Sequence, residues 1–288
     1  MLMISGKTGL YCLLGSPVAH SLSPAMHNLS FQALCIDSVY VAFDVGKDSA
    51  EQAAEAIRTL GILGCNLTMP LKTAILPYLD ELSDAARLCG SVNTIENRNG
   101  RLIGHTTDGA GFMRSMTEHG IDFSGAAVTL LGAGGAAKSI CTQAALDGVA
   151  RIHLMKRKNQ TFDAAVSFAR KVTEETGCLV TAEDLNDRSV LSSALSDSRI
   201  LINATSVGMD DGTDHANATP VDPSLLSPHL AVCDVIYHPT ETHLLSDAKK
   251  AGCKTMNGSD MLLFQGACSF ELWTGRKMPI DLVRKTLG

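Results

Sequence analysis

Residues 126–140 read Ala-Ala-Val-Thr-Leu-Leu-Gly-Ala-Gly-Gly-Ala-Ala-Lys-Ser-Ile. An apolar run ends in glycines at 132, 134 and 135, and a stretch rich in small residues follows with no helix breaker. This is a buried strand that turns through glycine into a helix, the arrangement that aims backbone N–H groups and a helix N-terminus at a dinucleotide pyrophosphate. In Gly132-Ala133-Gly134-Gly135-Ala136-Ala137 the first glycine permits the tight turn and the second lets the backbone approach phosphate. Ala137 allows close helix packing at the third position. The motif lies near the middle of a 288-residue chain, so a separate region must fold upstream of it.

Downstream, apolar runs suited to strands, 128–131, 152–155, 179–181, 200–203, 231–235 and 254–256, alternate with helical patterns. Strands joined by crossover helices imply a doubly wound parallel sheet. Upstream, 10–14, 39–43 and 65–68 read as strands, with Ser23 capping a helix that has Pro24 at its first position. Ser49 caps an alanine-rich helix ending near Gly61, and Ser83 caps one running to about Leu88. Residues 92–95 and 101–103 form a hairpin around Asn97-Arg98-Asn99-Gly100. The expected fold is α/β in two domains: a substrate domain over 1–112 plus 256–288, and a Rossmann-like nucleotide domain over 113–255. The tail, helical over 261–274 and 279–287, returns to the first domain, and 209–219 is a loop.

A net charge of −6 with nine scattered histidines leaves no basic stripe for nucleic acid, so small molecules are the expected partners. No segment reaches membrane-spanning length and the N-terminus lacks a secretory pattern. The nine cysteines show no C-x-x-C pair and no metal spacing; they read as buried thiols of a reducing, cytoplasmic setting, with no metal site expected.

The second strand of the nucleotide domain ends in Lys156-Arg157-Lys158-Asn159 rather than in the acidic residue that binds both ribose hydroxyls of NAD. Cations there favour a 2′-phosphate, so NADP, or dual use of NAD and NADP, is expected. Hydride transfer from an alcohol also needs a group to take the hydroxyl proton. Upstream, Asn66-Leu67-Thr68-Met69-Pro70-Leu71-Lys72 puts a lysine past a strand end, and Thr107-Asp108-Gly109-Ala110-Gly111 puts a carboxylate at a helix start. Ser91-Val92-Asn93-Thr94 adds an amide. A lysine beside a carboxylate in a partly desolvated site can relay a proton. Taken singly, Lys72 more often reads as a surface lysine, Asp108 as a cap and Asn93 as a strand-end hydrogen-bonder.

Together with Ser21-Leu22-Ser23-Pro24-Ala25-Met26-His27-Asn28, 203–209, 234–239, Gly258, Met261-Leu262 and Gln265, these stretches resemble the shikimate dehydrogenase family, nearest its quinate/shikimate members. The resemblance implies that Ser21 and Ser23 bind the substrate carboxylate and that Thr68, Lys72, Asn93, Asp108 and Gln265 contact its ring hydroxyls. It makes Lys72 the acid/base with Asp108 beside it, and sets Tyr237 at the carboxylate end. Gly132, Ala133, Gly134, Gly135, Ala136, Lys156, Arg157, Lys158, Asn159, Thr205, Ser206, Val235, Gly258 and Met261 become cofactor residues. The implied reaction interconverts shikimate with 3-dehydroshikimate, or quinate with 3-dehydroquinate, in a possible homodimer. The chain departs from the family at Thr106, where Asn is usual, at the ribose stretch, and at Ser206, where a quinate/shikimate member carries lysine. Ser23 as a cap only, His27 and Asn28 as packing residues and Tyr237 as a core tyrosine are the plainer readings. The rivals are a catalytically idle cofactor- and metabolite-binding regulatory paralogue and a dehydrogenase of another cyclic acid, such as an amino derivative.

Overall fold

The computed structural model describes residues 4–210, 212 and 217–287, so 211 and 213–216 of the loop read over 209–219 lie outside them. The chain divides into two compact units, the first formed by residues up to Thr107 and from Leu263 onward, the second by Asp108–Leu262.

In the first unit, β1 (Gly9–Gly15), α1 (Ser23–Ala33), β2 (Ser38–Asp44), α2 (Ala50–Thr59), β3 (Gly64–Leu67) and α3 (Leu71–Ala74) come first. They are followed by β4 (Glu81–Leu82), α4 (Asp84–Cys89), β5 (Thr94–Arg98) and β6 (Arg101–His105). The strands form one sheet in the order β2-β1-β3-β5-β6-β4. β1 runs parallel to β2 and β3, whereas β5 is antiparallel to β3 and to β6. The hairpin between β5 and β6 turns at Asn99 (φ 56°) and Gly100 (φ 89°), the pair of left-handed residues a two-residue turn requires.

The second unit holds α5 (Asp108–Glu118), β7 (Ala127–Leu131), α6 (Gly135–Leu146), β8 (Arg151–Lys156), α7 (Phe162–Thr176) and β9 (Leu179–Asp184). It continues through α8 (Arg188–Asp197), β10 (Ile200–Asn203), β11 (Ala231–Asp234), α9 (His243–Lys250), β12 (Lys254–Met256) and the start of α10 (Ser259–Thr274). α11 (Ile280–Leu287) closes the chain in the first unit. The second sheet is parallel throughout, in the order β12-β11-β10-β7-β8-β9, so the direction of winding reverses between β7 and β10. Alternate residues feed two cores: Val128, Leu130, Ile200 and Ile202 face α6 and α7, while Leu131, Leu201 and Val232 face α8 and α9.

Some expectations are corrected. Ser23 is not a cap: Leu22 occupies that position with Pro24 inside the first turn, and the Ser23 N–H donates instead to Ser21 Oγ at 3.2 Å. Ser49 stands at the N-terminus of α2 without a capping bond, because Lys47–Ser49 is already a tight helical turn. Ser83 does cap α4, accepting from the Ala86 N–H at 3.3 Å. α5 is counted with the second unit, since Gly109 brings its backbone so near α6 that an added Cβ would lie 2.2 Å from Ser139 O. Cys35 is exposed rather than buried, although most of the other free cysteines are buried.

Candidate active site

In the first unit the parallel pairing of β1 with β3 sends two loops off the sheet side by side. Thr68 N–H donates to Leu14 O (2.9 Å) and Ser16 N–H to Met69 O (2.9 Å). Gly15 is required there: with φ +155° it passes so close that a Cβ would lie 2.3 Å from Thr68 Cγ2. The first loop carries Ser21, with its N–H bonded to Val18 O at 3.0 Å, and leads into Ser23, the first residue of α1. The second carries Thr68 and the half-buried Lys72 in α3, whose carbonyl accepts from Val92 N–H at 2.8 Å. His27 and Asn28 pack as the plainer reading had it: His27 is fully buried, and Asn28 exchanges two bonds with the Tyr40 backbone (2.7 and 2.8 Å).

Beneath these loops lies a buried network of amides and hydroxyls. Tyr40 Oη donates to Asn66 Oδ1 at 2.9 Å, and burial pushes that phenol well above its ordinary pKa. Asn66 Nδ2 faces Thr94 Oγ1 (3.0 Å), Ser269 Oγ (2.9 Å) and Asn93 O (3.2 Å). Asn93 Oδ1 accepts the Thr107 N–H at 2.7 Å, and its Nδ2 faces Thr107 Oγ1 at 3.0 Å and Gln265 Oε1 at 3.4 Å. Asn93 and Gln265 are thus brought together, and both are side chains suited to sugar-like hydroxyls. Tyr40, Thr94, Thr107 and Ser269 were not singled out from sequence. Only Ser269 left a signal, four residues after Gln265 on the same helical face.

In the second unit the parallel strands end on one side, where a crevice ligand is received at the point where winding reverses. Gly132, after β7, has φ +101° and its N–H donates to Met155 O (2.8 Å); an added Cβ would sit 2.9 Å from Ala204 O. Gly134 caps α6 and Gly135 opens it, and open space lies where their Cβ atoms would be. A helix N-terminus with no side chain over it fits a pyrophosphate. Ala133 packs on the core and Ala137 is buried beneath the turn.

After β10, the Asn203 side chain accepts from Thr205 N–H (3.1 Å) and Oγ1 (2.7 Å), while Ser206 is exposed. After β11, the buried Asp234 accepts from Asn203 Nδ2 (3.1 Å), Ile236 N–H (3.0 Å) and Thr242 Oγ1 (2.8 Å); burial raises its pKa. Gly258 fits against Val235, where a Cβ would lie 2.0 Å from the carbonyl oxygen, and its own carbonyl accepts from Met261 N–H at 3.1 Å. Tyr237 is 57% exposed, which excludes the core reading. At the end of β8, Lys156 Nζ donates to Asn159 Oδ1 at 2.9 Å, Lys158 lies over the Phe162 ring at 5.7 Å, and Arg157 is exposed. Asp108 begins α5 directly after Thr107. Among the described residues no group of three or more His, Cys, Asp or Glu could hold a metal, and no helix is long and apolar enough to cross a membrane.

A family model described as the shikimate dehydrogenase substrate binding domain matches residues 13–95, and one described as the shikimate 5′-dehydrogenase C-terminal domain matches 258–287. The shikimate dehydrogenase (NADP(+)) of Listeria monocytogenes is 44% identical over 284 residues, covering 99% of this chain and 97% of that protein. Among solved structures, shikimate 5-dehydrogenase from Listeria monocytogenes in complex with shikimate and NAD has a TM-score of 0.95 at 43% identity, covering 99% of this chain and 98% of that one. Quinate dehydrogenase from Corynebacterium glutamicum in complex with NAD has a TM-score of 0.85 at 30% identity, covering 97% and 98%.

Proposed function

The chain belongs to the shikimate dehydrogenase family, and we propose that it interconverts shikimate and 3-dehydroshikimate with a nicotinamide dinucleotide. The observation that carries this reading is the meeting of Asn93 with Gln265, 172 residues away in sequence, over a buried floor of hydroxyls. A site of amides and hydroxyls rejects an analogue lacking ring hydroxyls, because its polar groups would be left unpaired.

Ser21 and Ser23 hold the substrate carboxylate by donating hydroxyl protons without adding charge. Thr68, Asn93 and Gln265 hold the ring hydroxyls, and exposed Tyr237 closes on the carboxylate end. Lys72 takes the proton of the reacting hydroxyl as its carbon becomes a carbonyl and returns it in the reverse direction, with Asp108 as the companion carboxylate. The bound nicotinamide supplies the hydride acceptor, held through Gly132–Ala136, Thr205, Ser206, Val235, Gly258 and Met261. At the ribose end, Arg157 with Lys156, Lys158 and Asn159 favours a 2′-phosphate, so NADP is the preferred cofactor and NAD is also used.

Shikimate is favoured over quinate because the 44% and 43% identities are to shikimate enzymes, against 30% to the quinate enzyme. A cytoplasmic location and a homodimer go with this reading; light scattering on the purified protein checks the second. The deciding assay follows nicotinamide absorbance with shikimate and with quinate, each against NADP and NAD. Turnover of shikimate with NADP is expected; no turnover of either acid defeats the proposal.

A further inference from the structure

We propose that Ser269 is a positioning residue for this reaction: its buried hydroxyl sets the register of α10 against the strand ends and thereby holds the Gln265 amide beside Asn93. The inference rests on the shikimate reading and deepens it by naming what shapes the ring-hydroxyl site.

Ser269 is fully buried, with Thr94 Oγ1 at 2.8 Å, Asn66 Nδ2 at 2.9 Å, Thr107 Oγ1 at 3.1 Å and Gln265 O at 3.1 Å. A hydroxyl has one proton and two lone pairs, so these neighbours saturate it. They come from β3, β5, the segment after β6 and α10 itself, which makes one oxygen the meeting point of four of the segments that carry the network. Gln265, Ser269 and Trp273 stand at spacings of four on one helical face, and Trp273 Nε1 donates to Ile95 O at 3.0 Å. The helix is therefore pinned at two levels. Trp273 fixes it over β5 and Ser269 fixes the turn that ends in Gln265.

The network also orients the amides. Because Thr107 N–H donates to Asn93 Oδ1, Asn93 Nδ2 must face Thr107 Oγ1 and Gln265 Oε1. That turns the Gln265 NH2 group away from Asn93. A one-residue slide of α10 would break the Ser269 bonds to Asn66, Thr94 and Thr107 and carry Gln265 off this place. An alanine at 269 would fill the space but specify no register.

The test is steady-state kinetics on the full chain carrying Ser269→Ala, Gln265→Ala or both, with melting temperatures read alongside. For Ser269→Ala the KM for shikimate should rise about tenfold, with kcat within about threefold and the cofactor KM unchanged. In the Gln265→Ala background the same change should cost less than about twofold, since its effect is exerted through Gln265. Thr94→Val removes a hydroxyl from the strand side of the cluster and should reproduce the pattern, which keeps the test available if Ser269→Ala does not fold. A wild-type shikimate KM in both variants overturns the proposal. So does an undiminished effect without Gln265, or a parallel rise in the cofactor KM, either of which marks a merely structural role. If the unmodified protein does not turn over shikimate, the functional reading itself has failed, and this outcome is separate from the others.

Discussion

At the end of β7 the groups proposed to meet a ligand are backbone N–H groups, Ala133 to Ala136, with open space over Gly134 and Gly135, the Gly132 N–H being donated to Met155 O. At the ends of β3 and β5 they are side chains, and those side chains are set by partners far away: Asn66 and Ser269 are 203 residues apart, Thr94 and Ser269 175. On the proposed reading, one region recognises its ligand by leaving side chains out, the other by interlocking them. The first needs only a local turn and a helix, whereas the second exists only once the whole unit has packed. A side chain added at Gly134, where space is open, should therefore act through cofactor affinity alone, and damage among the interlocked side chains should spread to their neighbours.

The largest effect is expected from Lys72→Ala, which should lower kcat about a thousandfold while a fluorescence titration of the cofactor is nearly unchanged. Retained turnover would remove Lys72 from the proton transfer. Next comes Gly134→Asp. The backbone there accepts any residue, but a carboxylate at the N-terminus of α6 would oppose the pyrophosphate charge and raise the cofactor KM about a hundredfold, with the melting temperature held. An unaltered cofactor KM would mean that the turn is structural only.

A smaller change, about tenfold, is expected in the ratio of NADP to NAD efficiency for Arg157→Ala. Equal loss with both cofactors would assign Arg157 no part in telling them apart.

The smallest effect concerns stability. His27 is stacked on Tyr40 with ring centroids 4.4 Å apart, and neither ring nitrogen has a hydrogen-bond partner. Burial lowers its pKa from 6.5 to about 3. Between those values the unfolded chain holds a proton that the folded chain refuses, so stability rises with pH across the window, is complete above it and is lost as pH falls toward 3. His27→Phe removes this dependence. Its melting temperature should gain on the unmodified protein as pH is lowered from 7 to 5, and parallel curves would contradict the burial of a neutral imidazole.

Much of the second unit was legible because a parallel sheet covered on both faces writes its strands as unbroken apolar runs. The glycine turn was legible because its requirement is local: Gly132 takes a conformation closed to most side chains. Ser23 was misread since serine before proline fits both a cap and a first helical residue, and backbone angles decide between them. The membership of α5 turned on the close packing of Gly109 against Ser139, which no periodicity reports. Thr94 and Thr107 stayed hidden because an isolated hydroxyl in a sequence has no distinguishing pattern, and Ser269 left only its spacing of four from Gln265.

By itself, then, the amino-acid order determined the class of fold, the glycine turn after β7 and the residue types available for the proposed proton transfer and hydroxyl recognition, since strand burial, glycine geometry and functional-group chemistry are properties of short segments. Tertiary structure alone decided which of those residues share hydrogen bonds. Asn66, Asn93, Thr107, Gln265 and Ser269 converge only when β3, β5, β6 and α10 pack together, and buried polar atoms acquire fixed orientations only when every one of them must find a partner.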